Sequence, residues 1–453
     1  MASANTLCSE IINVKGTVVT NHEIYHDSFG VKHLRIHVRP NKWHDNDCPI
    51  CHRKCNRDGA SSEARTWRSL DFGEIPVELV SQTHYIFCPE HGRHVADVPW
   101  AYPGSHFTKA FDLTVGWFAQ YLSKTTICDF MRIDYKTVGR CVKRTLDVVE
   151  PDRKVRLNGL VNIGIDETSY RKGHKYITVI VNHDTNTVVW CHEGFGDEVL
   201  KLFFEELTPE QLATIKVVTG DGAKYISRCV EKYLPGADRC VDPFHVVEWA
   251  MEALDEVRRE AWRTAYEDAK RLLNEAKADS KKKGLKDTQG MAIARAAQKK
   301  ADEIKGSAYA LGKNPENLTE KQKLRLELIA ATNNKVYRAY MMKEELRLLL
   351  KMKKADEAAA ALKKWRWWAS HSRIKAFKDL SAKIKRNEKY IMLTIKLGMS
   401  NARIESINNK IKVIIRRSYG FRNIENMLSM VYLVCSNLTI PIPNRKPACR
   451  EAA

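Results

Sequence analysis

Three acidic residues, spread over most of the chain, are the side chains best placed to do chemistry. Asp166 closes the run VNIGID, Asp221 stands between two glycines in KVVTGDG, and Glu405 heads the segment ESINNKIKVIIRR. Hard divalent cations such as magnesium or manganese take a few carboxylates and complete their shell with waters and substrate oxygens. Two such ions about 4 Å apart present a nucleophile to a phosphodiester and stabilise the leaving oxygen. Three acids from two strands and one helix suit that task, with Asp166 bridging the pair. The plainer readings are a solvated turn at Asp166 and, at Glu405, an acid that merely favours a helix N-terminus.

A second set of ligands lies nearer the N-terminus. CPIC contributes Cys48 and Cys51, and CPEH, roughly 36 residues further on, contributes Cys88 and His91. Each x-x spacing forms a tight knuckle that presents two ligands to one tetrahedral ion, which points to a structural zinc site. Cys55 is a spare thiol that could compete with a ligand. The N-terminus MASANTLCSE lacks the basic-then-apolar layout of a signal peptide, so reduced thiols and a cytoplasmic location are expected.

Periodicity shows which elements must position the acids. Val161, Ile163 and Ile165 alternate with small or polar residues, and YITVIVN and TVVWC follow after short polar turns, so three strands form a meander. DEVLKLFFEELTPEQLATI reads as one or two helices, KVVTGDG as a buried strand, YISRCVEKYL as a helix, DRCVD as a strand and FHVVEWAMEALDEVRR as a helix. Three strands, helix, strand, helix, strand, helix is the order of the ribonuclease H-like fold. By analogy with that fold, the first and fourth strands lie side by side and bring Asp166 and Asp221 to one edge. The glycines around Asp221 would let the backbone turn sharply and keep the carboxylate approachable. On SNARIESINNKIKVIIRRSYG, Ser400 can cap a helix and Gly420 can end it. Ile404, Ile407, Ile411 and Ile414 form its apolar face, while Glu405, Asn409, Lys412 and Arg416 form a polar stripe.

The remaining chain looks built for a polyanion. Its 453 residues suffice for two to four domains, and its net charge of +20 points to nucleic acid. No run of about 18 apolar residues suggests a membrane span. Residues 1–100 read as a β element with the zinc-binding module, and 101–150 as a helix-turn-helix. In the latter, Asp134 caps a helix whose Val138, Cys141, Val142 and Leu146 face inward. Lys136, Thr137, Arg140, Lys143 and Arg144 would face outward, toward phosphates and groove edges. An ordinary helical hairpin with a solvated basic face is the plain alternative. Residues 151–260 form the first part of the core, 261–396 an Ala/Lys/Glu/Leu-rich helical insertion, 397–438 the final core helices, and 439–453 a Pro-rich loose tail. Within the insertion, KKWRWW holds Trp365, Trp367 and Trp368. These either pack as anchors or offer an aromatic platform to a base, with Arg366 and Arg373 on phosphates.

These segments resemble the bacterial insertion-sequence transposases of the ISL-three type, a branch of the Asp-Asp-Glu transposases. The likeness rests on GIDETSYRKGHKY, TGDGA, DPFHVVEWAMEALDEVRR, NPENLTEKQKLRL, SRIKAFKDL, SNARIESINNKIK and YGFRNIEN, with CPIC, WRSLD and VPWAYPGS in the N-terminal half. It covers roughly residues 40 to 435. It implies a zinc module, a helix-turn-helix and a ribonuclease H-like core interrupted by a helical insertion, with the acid motif on Asp166, Asp221 and Glu405. His91 stands where a fourth cysteine is expected, and histidine serves zinc equally well. Asp242 and His245 fall in a matched segment without an assigned role. The expected activity is binding of terminal inverted repeats, metal-dependent cleavage of their 3′ ends, and joining to target DNA. A homodimer or larger synaptic assembly would act on double-stranded DNA at the nucleoid. A non-catalytic DNA-binding regulator, or a nuclease of the same fold, are the alternatives.

Overall fold

Residues 4–284, 289–399 and 402–442 are described by the structure, a computed structural model. The chain divides into two compact units, residues 1–156 with 409–453, and residues 157–408. The cap expected at Ser400, residues 285–288, which include the last two of KKKGLK, and the tail from 443 onward lie outside the described residues.

In the first unit, a helix α1 (Ala4–Ile12) precedes five strands: β1 (Thr17–His26), β2 (Lys32–Pro40), β3 (Asn56–Arg68), β4 (Val77–Cys88) and β5 (Gly92–Val95). They form one sheet in the order β1-β2-β4-β3, with β5 paired to β4. Strand alternation is plain in β2, where Leu34, Ile36 and Val38 are buried. Ile11 and Ile12 head the alternating run IINVKGTVVT, which reads as part of the β element, yet they close α1, since a short apolar run carries no period of its own. Trp67 and Trp100 meet edge-to-face at 5.4 Å in this core.

Three helices follow: α2 (Lys109–Tyr121), α3 (Lys124–Met131) and α4 (Tyr135–Val149). Each begins at a side-chain cap: Thr108 accepts from the Phe111 amide, Ser123 from Thr126, and Asp134 from Lys136 and Thr137. Val138, Cys141, Val142 and Leu146 are buried, as their spacing predicts. A Cβ on Gly116 of α2 would collide with Thr145 of α4, so the glycine permits the close crossing of these two helices.

In the second unit, the sheet runs β10-β9-β6-β7-β8. Here β6 (Asn162–Arg171), β7 (Lys175–Asn182) and β8 (Thr187–Glu193) are the antiparallel meander, and β9 (Val217–Gly220) and β10 (Asp238–Val241) add on in parallel. The first and fourth strands are therefore neighbours. Helices α5 (Asp197–Glu206), α6 (Pro209–Thr214) and α7 (Lys224–Tyr233) connect the strands. Ile163, Ile165, Ile180, Phe203, Phe204, Val218 and Ile226 pack into one core.

From β10 the chain enters α8 (Pro243–Lys283), 41 residues long, so the boundary expected at 260/261 falls inside one helix. The shift to Ala, Lys and Glu there changes the helix's surroundings, not its backbone, because these residues are themselves good helix formers. Helices α9 (Gln289–Gly306), α10 (Ala308–Gly312), α11 (Glu320–Thr332), α12 (Asn334–Leu349), α13 (Ala355–His371) and α14 (Lys375–Leu397) complete a helical body around Leu346, Trp365 and Phe377. The chain ends with α15 (Ala402–Arg417), which begins in this unit, and α16 (Ile424–Cys435), which packs on α4 and α2 in the other.

Candidate active site and metal centre

Strand register brings two of the acids together. In the parallel pair of β6 and β9, the final partners are Gly164 and Thr219, and Asp166 and Asp221 each follow two residues later. Side chains repeat every two residues along a strand, so both carboxylates leave the sheet at the same level, on strands roughly 4.8 Å apart. β10 extends the row. Val241 pairs with Gly220, which sets Asp242 beside Asp221. Three aspartates thus stand in a row across three adjacent parallel strands: Asp221 and Asp242 just past the ends of β9 and β10, and Asp166 midway along β6, which runs on to Arg171 instead of ending at the acid.

The environment of β6 disfavours the ionised form of two of its acids, Asp166 and Glu167. Burial raises the Asp166 pKa, and the Asp221 and Asp242 charges add to the rise, while the Glu167 amide and His245 oppose it. Glu167, the next residue, is pushed up to about 7 by burial and by Asp221, and it accepts a hydrogen bond from the Tyr225 hydroxyl. Carboxylates crowded in this way relax when a cation joins them. Asp242 also caps α8, accepting from the Phe244 amide at 3.2 Å, and His245 hydrogen-bonds Glu248 through Nδ1 at 3.1 Å.

The glycines flanking Asp221 serve close approach instead of a sharp turn, for neither has a positive φ. A Cβ on Gly220 would stand 2.9 Å from the Ile165 carbonyl oxygen, and one on Gly222 would overlap the Trp249 ring. Beneath them the guanidinium of the buried Arg239 donates to the Asp221 and Cys240 carbonyl oxygens. Burial pulls its pKa down to about 10.

Glu405 lies on α15, which meets β6 through Ile404 and Asn408. Gly164 lets the helix lie directly on β6, since a Cβ there would overlap Ile404 and stand 2.6 Å from His183 Nε2. Asn408 then donates from Nδ2 to Asp166 Oδ2 at 2.7 Å. Glu405 precedes Asn408 by three residues, a spacing that puts two Cβ atoms about 5–6 Å apart on one helix face. The Glu405 side chain is exposed. The three acids do not close as tightly as a filled metal site. Among the described residues, only Cys48, Cys51, Cys88 and His91 form a group of metal-ligating side chains whose donor atoms all lie within 4.8 Å of one another.

That second group has the geometry of a tetrahedral centre. Cys51 and Cys88 sulfurs are 3.7 Å apart, and His91 Nδ1 lies 3.5 Å from Cys88 Sγ and 3.9 Å from Cys48 Sγ. A zinc ion with bonds of roughly 2.3 Å to sulfur and 2.0 Å to nitrogen requires edges of about 3.5–3.8 Å. Burial works against the Cys88 thiolate, yet hydrogen bonding from His91 and from the Glu90 and His91 amides brings its pKa down to about 6. Cys55 stays outside, bonded to the Arg53 carbonyl oxygen, its thiol raised to about 11 by burial.

The expected DNA-facing residues divide. Lys136, Arg140 and Lys143 are exposed on α4. Thr137 is buried, donating to Asp134 Oδ2 at 2.6 Å as part of the cap. Arg144 turns inward and grips the buried Asp112 with Nε at 2.9 Å and Nη2 at 2.7 Å. Both are corrections: the cap claims the first hydroxyl, and a buried carboxylate claims the second side chain. The tryptophans divide as well. Trp365 is 0% exposed with Nε1 bonded to the Met342 carbonyl, and Trp368 packs against the same core. Trp367 alone of the three projects, 66% exposed and stacked on His371 at 4.7 Å. Arg366 pairs with Glu388, while Arg373, Asn409, Lys412 and Arg416 are exposed.

A family model described as "Transposase", that of the ISL3 type, matches residues 163–431. The match starts within β6, ends within α16 and takes in all three acids. The chain belongs to the ISL3 transposase family. The transposase for insertion sequence element IS1557 of Mycobacterium tuberculosis is 39% identical over 432 residues, 95% of each chain. The transposase for insertion sequence element IS1001 of Bordetella parapertussis is 25% identical over 382 residues, 83% of this chain and 86% of its own. Membership in a family of DNA-cleaving enzymes accords with the positive charge and with the row of acids. No described helix is long and apolar enough to cross a membrane.

Glu167 is legible in the sequence as the carboxylate next to Asp166, but Asn408, Arg239 and the alignment of Asp242 with the other two aspartates are not. The DRCVD run carries a signal for the last of these, an acid at a strand exit like Asp221.

Proposed function

We propose that this chain is a metal-dependent DNA transposase with a ribonuclease H-like core, in which Asp166, Asp221 and Glu405 form the acid triad. The observation that carries this reading is the equal register of Asp166, on β6, and Asp221, just past the end of the adjacent parallel strand β9. The strand order, an antiparallel meander continued by two parallel strands, supports the fold assignment.

The donor set fits magnesium or manganese: hard carboxylate oxygens whose crowding a cation relieves. Asp166 and Asp221 would hold paired ions and Glu405 would complete the set. When bound, the ions would activate a water or a DNA 3′-hydroxyl and stabilise the leaving oxygen at the scissile phosphorus. Arg239 holds the Asp221 backbone in place, and Gly164 and Gly222 keep the surrounding elements close enough to support the acids.

The zinc centre would stiffen the loops beside the N-terminal sheet. Helices α3 and α4 would act as a helix-turn-helix on the terminal inverted repeats, with Lys136, Arg140 and Lys143 on phosphates or groove edges. The helical body over 261–396 would hold the cleaved strand. Since one site serves each of two ends, two copies or more would assemble on the DNA before it joins its target.

Replacing Glu405 with Gln tests the reading. Joining of a pre-cleaved end to target DNA should fall by at least about 100-fold, a loss on the scale of other catalytic electrostatic contacts, with end binding within twofold of wild type. Joining at the wild-type rate would overturn the triad. Cleavage without joining by the unmodified protein would instead indicate a nuclease.

A further inference from the structure

Asn408 is the polar interruption in the apolar face of α15. Ile404, Ile407, Ile411 and Ile414 around it are buried, and Asn408 itself is 6% exposed. A buried amide among isoleucines is costly unless it is hydrogen-bonded. Half of it is: Nδ2 donates to Asp166 Oδ2. The other half, Oδ1, is buried and has no hydrogen-bond partner among the described residues. An apolar residue of the same shape would fill the position without leaving that oxygen unsatisfied, so packing alone gives no reason for an asparagine.

We infer that Asn408 is a positioning residue, a pin that sets the rotation of α15 on β6 and thereby holds Glu405 at the aspartate edge. This rests on the triad reading above. The Ile404 side chain over the bare backbone of Gly164 defines how closely helix and strand approach, but not which side of the helix turns toward Asp166. The bond from Nδ2 supplies that choice. With it in place, Glu405 lies one helical step of three residues away on the same side; without it, a small rotation carries the acid off. The same bond occupies Asp166 Oδ2 while Oδ1 accepts from the Glu167 amide at 2.8 Å, so the carboxylate plane is fixed from both ends. The unpartnered Oδ1 of Asn408 is a hard oxygen donor at the same edge, suited to a divalent cation or to its water.

The test uses the full-length protein with Asn408→Leu and Asn408→Ala beside Glu405→Gln. The measurements are metal-free thermal unfolding, the midpoint of the Mn2+-dependent shift in unfolding temperature without DNA, end-DNA affinity, and joining of a pre-cleaved end at saturating Mn2+. Asn408→Leu should leave metal-free unfolding and end binding near wild type. It should raise the Mn2+ midpoint and slow joining, each on the order of 10- to 100-fold, the usual effect of removing a partner that orients a metal ligand. A purely structural role would not move the metal midpoint of a protein that remains folded. Asn408→Ala carries the same test should the leucine not pack. A wild-type midpoint and joining rate in the folded variants would overturn the inference. If Glu405→Gln is dead while those variants are normal, only the pin fails. If Glu405→Gln is active, the triad itself fails.

Discussion

His183 sits close to Gly164 and Thr219, the residue pair two positions before Asp166 and Asp221, 2% exposed, with Nε2 2.6 Å from Thr219 Oγ1. Burial, aided by the Arg403 charge and opposed by Asp184, pulls its pKa from 6.5 down to about 4. A histidine kept neutral in the folded state contributes stability that is present above pH 6.5 and is lost as the pH falls toward 4. At pH 5 the loss should approach ~2 kcal/mol, from about 1.4 kcal/mol per pH unit. The drop in unfolding temperature between pH 7.5 and pH 5 should therefore be smaller in His183→Gln than in wild type. An equal drop in both would mean that this ring protonates freely. His183 was silent in the sequence, where it is one residue of the turn HDTN. Asn408 and Asn409 show a subtler limit. From Glu405, steps of three and four residues are displaced by similar angles to opposite sides of the helix, so periodicity alone favours neither asparagine. Spacing admits Asn409 to the stripe, but Gly164 decides which side is covered, and it lies 244 positions before Asn408.

Elements were more legible than residues wherever chemistry and spacing agreed. Asp134 caps α4, the three-strand meander forms, and the two knuckles meet, because each depends on contacts within a few residues or on a donor set with few other uses. Features set by long-range packing were not legible: the continuity of α8 past Ala261, the inward turn of Arg144, and the sorting of three tryptophans into two anchors and one exposed ring. The knuckles also yield a prediction. Cys48 and Cys51 come from the loop before β3, Cys88 ends β4, and His91 precedes β5, so an ion here would tie the β4–β5 hairpin to that loop. Purified protein should carry about one zinc per chain, and a strong chelator at pH 7 should lower the unfolding temperature of the N-terminal unit. Cys51→Ser should lose the metal and mimic chelation, whereas Cys55→Ser should keep both metal and stability, since its sulfur lies outside the tetrahedron. Zinc lost equally from both variants would remove the assigned ligand set.

At the scale of the whole molecule, a net charge of +20 sets how the chain meets DNA. Binding governed by phosphate contacts releases condensed counterions, and the logarithm of affinity then falls with the logarithm of salt with a slope of about −0.9 per contact. Not every basic residue in α4 should count toward that slope. Lys136, Arg140 and Lys143 are exposed, so each replaced by Ala should flatten the slope by roughly one unit and weaken binding almost equally for end and unrelated sequences. Arg144 is committed to Asp112, a carboxylate with 0% exposure. Removing it leaves a buried charge unpaired, so Arg144→Ala should cost about 3–5 kcal/mol of stability. Under conditions where that variant remains folded, its salt slope should match wild type. The comparison separates two uses of positive charge on one helix, association with a polyanion and neutralisation of an internal acid. If Arg144→Ala flattened the slope as much as Arg140→Ala, the outward face of α4 would have to be redrawn. If none of the four substitutions changed the slope, α4 would not be the DNA-binding surface, and the phosphate contacts would have to come from elsewhere on this basic chain.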